Sequence, residues 1–142
     1  MPQDLSIRPL APADLERLRA VDPGLAPGGR RRRVVARLIE LGMSWLAEED
    51  GAPVGFAIAS RNFFDYPFVD LLVVSEAARR GGVGSALMRR CEAVHDMDRI
   101  FTSTNESNAP MRALLAKEGW RPSGQIDNLD PGDPELVYVK WR

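Results

Sequence analysis

The stretch that most constrains this chain runs from Phe68 to Leu87. Its first half, Phe68-Val69-Asp70-Leu71-Leu72-Val73-Val74-Ser75, is an apolar, β-branched run broken by one carboxylate. That pattern predicts a central strand buried on both faces. Glu76-Ala77-Ala78 and the basic, glycine-rich turn Arg79-Arg80-Gly81-Gly82-Val83-Gly84 follow, and from about Gly82 the residues Val83, Leu87, Cys91 and Val94 recur at helical spacing. A strand delivered into a helix by such a turn leaves the first helical N–H groups unpaired at the positive end of the helix dipole. The N–H groups of Gly82, Val83, Gly84 and Ser85, with Arg79 and Arg80 beside them, therefore make an anion site suited to a diphosphate. Two other phosphate loops do not match. A dinucleotide fingerprint needs a third glycine where Leu87 stands, and a Walker loop needs a Gly-Lys-Ser/Thr end that is absent.

The flanking chain sets the fold class. Leu5 to Leu10 alternates as a short edge strand, with Pro9 near its end. A helix opens at Ala11-Pro12-Ala13-Asp14, with Leu15, Leu18 and Val21 as its apolar positions, and a second helix covers Val34 to Leu41 after Arg30 to Arg33. Trp45–Asp50 and Val54–Ser60 read as a hairpin turning at Gly51-Ala52-Pro53, and Arg61 to Pro67 is an aromatic-rich connection. Beyond the central helix, Arg99–Thr104 completes a βαβ unit with parallel strands. Asn108 is the N-cap of a further helix that ends at Gly119, and Trp120–Ile126 and Leu136–Trp141 are closing strands. The order predicts an α/β (α+β) fold: a six- to seven-stranded mixed, mainly antiparallel sheet flanked by helices on both faces, over residues 1–142 as one domain.

Composition excludes several classes. With 142 residues and a formal net charge of -1, the chain carries no global basic field for nucleic acid or anionic membrane. The arginines at 30–33 read as a solvated helix start rather than an RNA site. Cys91 and His95 are the lone cysteine and histidine, so no metal site is expected, and a reduced cytoplasmic setting is. Residues 1–4 lack the pattern of a secretory leader. Asp127, Asp130, Asp133 and Glu135 read as a solvated turn.

Arg79-x-x-Gly82-x-Gly84 resembles the Q/R-x-x-G-x-G/A pyrophosphate loop of the Gcn5-related N-acetyltransferase superfamily. Asn108-x-x-Met111-x-x-Leu114, followed by Gly119-Trp120, is similar to that family's second motif, and the element order matches from Leu5 to Arg142. The resemblance implies a splayed central strand pair and acetyl-CoA as co-substrate. The pantetheine amides would pair with the backbone of Leu72, Val73 and Val74, the pyrophosphate would sit on Arg79 to Ser85, and Asn108 would approach the pantetheine arm. It further implies acetyl transfer to a primary amine, small molecule or peptide, in a ternary complex, with no nucleic acid or membrane partner; a homodimer is left open. Asp70, a carboxylate in an apolar strand, is the first candidate base and Glu106 the second. The Val74 N–H is the candidate oxyanion donor. Leu115 stands where many relatives carry a tyrosine that protonates the thiolate, so either the thiolate leaves unassisted or Tyr66, Tyr138 or Ser107 substitutes. The alternative expectation is an acyl-CoA-binding sensor or interaction module of the same fold that has lost chemistry.

Overall fold

The computed structural model describes residues 4–142. The reading of residues 1–4 as leaderless therefore falls mostly outside the described residues. Seven strands form one sheet in the order β1-β2-β3-β4-β5-β7-β6. They are β1 (Leu5–Pro9), β2 (Met43–Glu49), β3 (Ala52–Phe63), β4 (Tyr66–Val74), β5 (Arg99–Asn105), β6 (Arg121–Ile126) and β7 (Glu135–Trp141). Every neighbouring pair is antiparallel except β4 and β5. The helices are α1 (Arg30–Leu41), α2 (Val83–Val94) and α3 (Ala109–Lys117), preceded by a 3-10 helix at Pro12–Ala20. Among the described residues, no helix is long and apolar enough to cross a membrane.

Each face of the sheet has its own core. On one, α2 and α3 bring Val83, Leu87, Met88, Cys91 and Leu115 against Ala57, Val69 and Ile100. On the other, α1 and the 3-10 helix bring Leu18, Val35 and Ile39 against Leu46, Phe56 and Ile58. Alternate residues of β2 and β3 feed the two cores, as the strand period of two requires.

Three local expectations differ from the structure. The first helix is 3-10, because its apolar residues Leu15, Leu18 and Val21 recur every third position, which matches three residues per turn. Asp14 closes its start by accepting the Ala11 N–H at 2.9 Å. The β2–β3 turn is Asp50-Gly51, with φ of 51° and 82°, so Ala52 and Pro53 already belong to β3. An Asp-Gly pair is the sequence that tolerates two positive φ values in a two-residue hairpin. The connection at 61–67 is itself mostly strand: Phe63 pairs with Tyr66 across a tight turn at Phe64-Asp65.

The arginine run begins α1 rather than preceding it. Arg31 pairs with Asp22 at 2.6 Å, Arg32 pairs with Glu16 at 2.9 Å, and Arg33 donates to the Gly28 carbonyl at 2.7 Å. These contacts tie α1 to the preceding loop and 3-10 helix.

Candidate functional site

The site begins where two strands part. β4 and β5 pair only at Phe68 with Phe101 and Val69 with Thr102. At that last rung the Thr102 hydroxyl donates to the Val69 carbonyl at 3.0 Å. Asp70 follows at once as an extra residue: Ile58 pairs with Leu71 and Ala59 with Val69, so Asp70 is a β-bulge. Beyond it β4 continues beside β3 alone. Burial on both faces was expected for this strand, yet every residue from Asp70 to Val74 is only half-buried. The apolar run is long enough for a doubly covered strand, but the departure of β5 uncovers one edge.

The exposed edge has a defined polarity. The Ser75 N–H donates to the Val54 carbonyl at 2.9 Å, so Ser75 faces β3. Backbone groups alternate along a strand, so Val73 also faces β3 and the N–H and C=O of Leu72 and Val74 face the gap. The Val73 carbonyl lies against Gly55, where an added Cβ would meet it at 3.0 Å. Arg79 Nε reaches the Val74 carbonyl at 3.4 Å, on the open side.

The glycine-rich turn closes the top of the gap. A single 3-10 turn, Glu76–Ala78, leads out of β4, and the Gly81 N–H is consumed by the Ala78 carbonyl at 3.3 Å. Gly82 is the N-cap of α2 at φ 84°, a region that costs a side-chain-bearing residue energy. Open space surrounds the position of its missing Cβ. The first helical bond is Ala86 N–H to Gly82 C=O at 3.0 Å, and no side chain caps the helix. The N–H groups of Val83, Gly84 and Ser85 thus have no helical acceptor. Gly84 is required by packing, since a Cβ there would meet Leu114 at 2.8 Å, with Val74 and Leu72 at 3.6 and 3.8 Å. Its absence seats α2 against both α3 and the free end of β4.

Asp70 is the titratable group at the gap. One of its carboxylate oxygens is buried with no hydrogen-bond partner. Burial raises its pKa above the ordinary carboxylate range, against smaller opposing contributions from the Ser60 hydroxyl and its own backbone N–H. Glu106 lies on the turn after β5 with an exposed side chain, and its N–H donates to the Pro134 carbonyl at 2.8 Å. Asn108 caps α3, its side-chain oxygen accepting the Met111 N–H at 3.2 Å. The acidic turn is a tie rather than a free patch. Asp133 holds the Ser107 N–H and hydroxyl at 3.0 and 2.6 Å, Asp130 takes the Asn105 amide at 3.0 Å, and Glu135 takes the Ser103 hydroxyl at 2.7 Å.

Leu115 is fully buried, a core residue of α3. Of the three substitutes for the missing tyrosine, Tyr66 accepts from Arg99 at 2.6 Å and Ser107 is bound by Asp133. Tyr138 stands opposite Thr102 in the β5–β7 ladder and packs in the same core as Leu115. Cys91 and His95 lie elsewhere: Cys91 is buried under α2, its thiol pushed up to about 12 chiefly by burial, and His95 caps the end of that helix. Sequence reasoning missed Ser60 and Thr102. The available signal was that Thr102 and Thr104 share a strand face with Ile100, which a core strand turns inward.

A mixed seven-stranded sheet with one parallel pair that splays at a bulge, and a helix N-terminus at the mouth of the splay, is the arrangement that the resemblance implied. The comparisons agree. The model for the acetyltransferase (GNAT) family matches residues 18–120. An acetyltransferase of the GNAT family from Bacillus cereus ATCC 10987 is 31% identical, with a TM-score of 0.87 and coverage of 97% of both chains. The chain belongs to the GNAT acetyltransferase family. Two more distant structures share its fold. A GNAT family acetyltransferase from Elizabethkingia anophelis with acetyl-CoA bound is 16% identical at a TM-score of 0.75, covering 98% of this chain and 99% of that one. Arabidopsis thaliana NAA60, in complex with a bisubstrate analogue, is 18% identical at 0.76, covering 96% and 97%. No curated protein matches the chain.

Proposed function

We propose that residues 1–142 form a single acetyl-CoA-dependent N-acetyltransferase domain that moves the acetyl group to a primary amine by direct attack in a ternary complex. One observation carries this reading: the gap between β4 and β5 opens at Asp70, presents the backbone groups of Leu72 and the N–H of Val74, and ends at the uncapped start of α2. These groups suit a coenzyme A arm. Val83, Gly84 and Ser85 N–H, with that of Gly82, meet the pyrophosphate, and Arg79 and Arg80 add charge. Val74 pairs with a pantetheine amide in the manner of an added strand. Val73 takes no part through its backbone, because its polar groups face β3. The amide nitrogen of Asn108 is free to reach the arm while its oxygen caps α3.

Bound acetyl-CoA supplies the activated thioester. A primary amine of pKa ~10 is only about one part in a thousand neutral at pH 7, so a base matters. Asp70 accepts the amine proton as the C–N bond forms and the C–S bond breaks, and the thiolate leaves. Raised by burial, the carboxyl of Asp70 is a stronger base than an ordinary aspartate. The oxyanion donor moves from Val74 to Leu72. Val74 is four residues from Asp70, about 13 Å along the strand, whereas Leu72 is about 7 Å away and also faces the gap. Tyr138 is the leading proton donor to the thiolate, and Glu106 is the second candidate base.

Thiol release across a panel of primary amines, with CoA binding followed by calorimetry, tests the reading. Turnover with at least one amine, falling by about a hundredfold or more in Asp70→Asn, is expected. Tight CoA binding with no turnover on any amine would favour a sensor or interaction module instead.

A further inference from the structure

A buried carboxylate stands beside the first turn of α2, next to the N–H groups left free for an anion. Ser85 belongs to that turn and is buried. Side chains in a helix lean back toward its N-terminus, so the Ser85 hydroxyl lies close to those N–H groups. The hydroxyl acts on the carboxyl of Glu118, the C-cap residue of α3. The Glu118 side chain is only 5% exposed. Its N–H donates to the Leu114 carbonyl at 3.0 Å, and Leu114 is the residue that a Cβ at Gly84 would strike. The close approach that seats α2 on α3 thus also brings this carboxylate to the start of α2.

A negative charge in that place opposes a second anion, because charge effects at a helix end are strongest within its first turn. Arg89 answers it. It stands one turn beyond Ser85 on the same side of α2. Its Nε donates to Glu118 Oε1 at 2.7 Å and its Nη2 to Oε2 at 3.0 Å. These bonds, ahead of every other influence, hold the Glu118 carboxyl below the ordinary range, so it is charged at neutral pH. Lys140 also approaches, donating to the Glu118 backbone carbonyl, but its charge is paired with Glu92 at 3.3 Å. An ion pair exposed on both sides contributes little. Here only the arginine is exposed, at 68%, and its loss would leave a buried charge uncompensated.

We propose that Arg89 is a positioning residue for coenzyme binding, acting through Glu118: by cancelling that carboxylate it keeps the start of α2 attractive to a diphosphate. The inference rests on the reading of the α2 start as the phosphate seat. Arg79 and Arg80 bring positive charge to the front of the seat, and Arg89 neutralises a negative charge behind it. Ser85 then serves the phosphate through its N–H alone, since its hydroxyl is turned to Glu118.

Calorimetry with CoA reads the charge, on variants whose folding is checked by circular dichroism. Arg89→Met should weaken CoA binding by about tenfold, because an uncompensated carboxylate faces the diphosphate. Arg89→Lys keeps the charge without the two-pronged bond and should stay within about threefold of the unaltered protein. Glu118→Gln alone should bind CoA at least as tightly as the unaltered protein. The deciding protein carries Arg89→Met and Glu118→Gln together. Its affinity should return to within about threefold of the unaltered protein, although both bonds of the pair are gone. A pair that only braces the helices gives the opposite, a double variant at least as weak as Arg89→Met, and that result overturns the proposal. If Arg89→Met does not fold, the double variant is compared with Glu118→Gln: a loss of about tenfold there means that Arg89 meets the coenzyme itself, which also overturns it. A folded Arg89→Met protein that binds CoA like the unaltered one overturns it too. Gly82→Asp then tells which reading failed, since it still weakens binding when the seat is right and leaves it unchanged when the seat is misplaced.

Discussion

The Thr102 hydroxyl donates to the Val69 carbonyl at 3.0 Å on the last rung that β4 and β5 share. Both residues are buried, at 2% and 3% exposure, so this carbonyl has no water to turn to. The bond therefore ends the parallel ladder without an orphaned acceptor, next to the bulge at Asp70. Thr102→Val keeps the shape and removes the donor. It is expected to cost about 1–3 kcal/mol in urea unfolding, and Thr102→Ser should recover most of that loss.

Asp70 links stability to pH in the direction opposite to most carboxylates. Its folded pKa is raised, chiefly by burial, so the folded state prefers the neutral acid. Its contribution to stability is complete below the ordinary carboxylate value of about 4 and is lost as pH rises through the folded value. Asp70→Asn should raise the Tm at pH 7.5 and leave it nearly unchanged at pH 3.5. An equal shift at both values would mean that the carboxyl is not held in a desolvated place.

Asp14 behaves the other way. Bonds from Arg8 at 2.9 and 3.0 Å, with the Ala11 N–H and Arg17 adding to them, hold its carboxyl well below the usual range, against some opposition from burial. That stability is present above about pH 4 and lost as pH falls through the depressed folded value. The carboxyl also fastens the 3-10 helix to β1. Asp14→Asn should cost about 1–2 kcal/mol at pH 7, toward the low side because Arg8 is 40% exposed, with the penalty shrinking as the pH falls below 4. Urea titrations at the two pH values measure it.

Gly82 separates charge from strain at the candidate phosphate seat. Asp and Asn both tolerate positive φ better than other side chains, but only Asp brings a negative charge to the start of α2. Gly82→Asp should weaken CoA binding by about tenfold or more in calorimetry, and Gly82→Asn by clearly less. Equal affinities in the two variants would move the phosphate elsewhere.

Cys91 should be inert in the native protein. It is 1% exposed, and its thiol is pushed up to about 12 by burial and by the nearby Glu92 and Asp70 carboxylates, so almost no thiolate exists at neutral pH. Alkylation by iodoacetamide should follow unfolding in urea rather than precede it. Rapid modification at pH 8 without denaturant would contradict the packing of α2.

The run from Phe68 to Leu87 carried enough local information to set the strand, the turn and the helix. Apolar β-branched residues, an Arg-x-x-Gly-x-Gly turn and a helical stripe each have a short-range physical cause. Asn108 as a cap and the mixed sheet were readable for the same reason. Legibility failed where neighbours in space decide. The same apolar run that predicts burial on both faces is half-buried from Asp70 on, because β5 turns away. Glu135 and Asp133 look like solvated charge, yet they bind Ser103 and Ser107 across a fold that only the sheet order brings together.

By itself the sequence determined which backbone donors are left free, because a helix start after a glycine-rich turn cannot satisfy its own first N–H groups. Tertiary structure alone decided what those donors face. The strand gap, the bulge at Asp70, and the register that pairs Ser60 with Phe68 all depend on long-range pairing. A one-residue change of register would move every one of those side chains to the other side of the sheet.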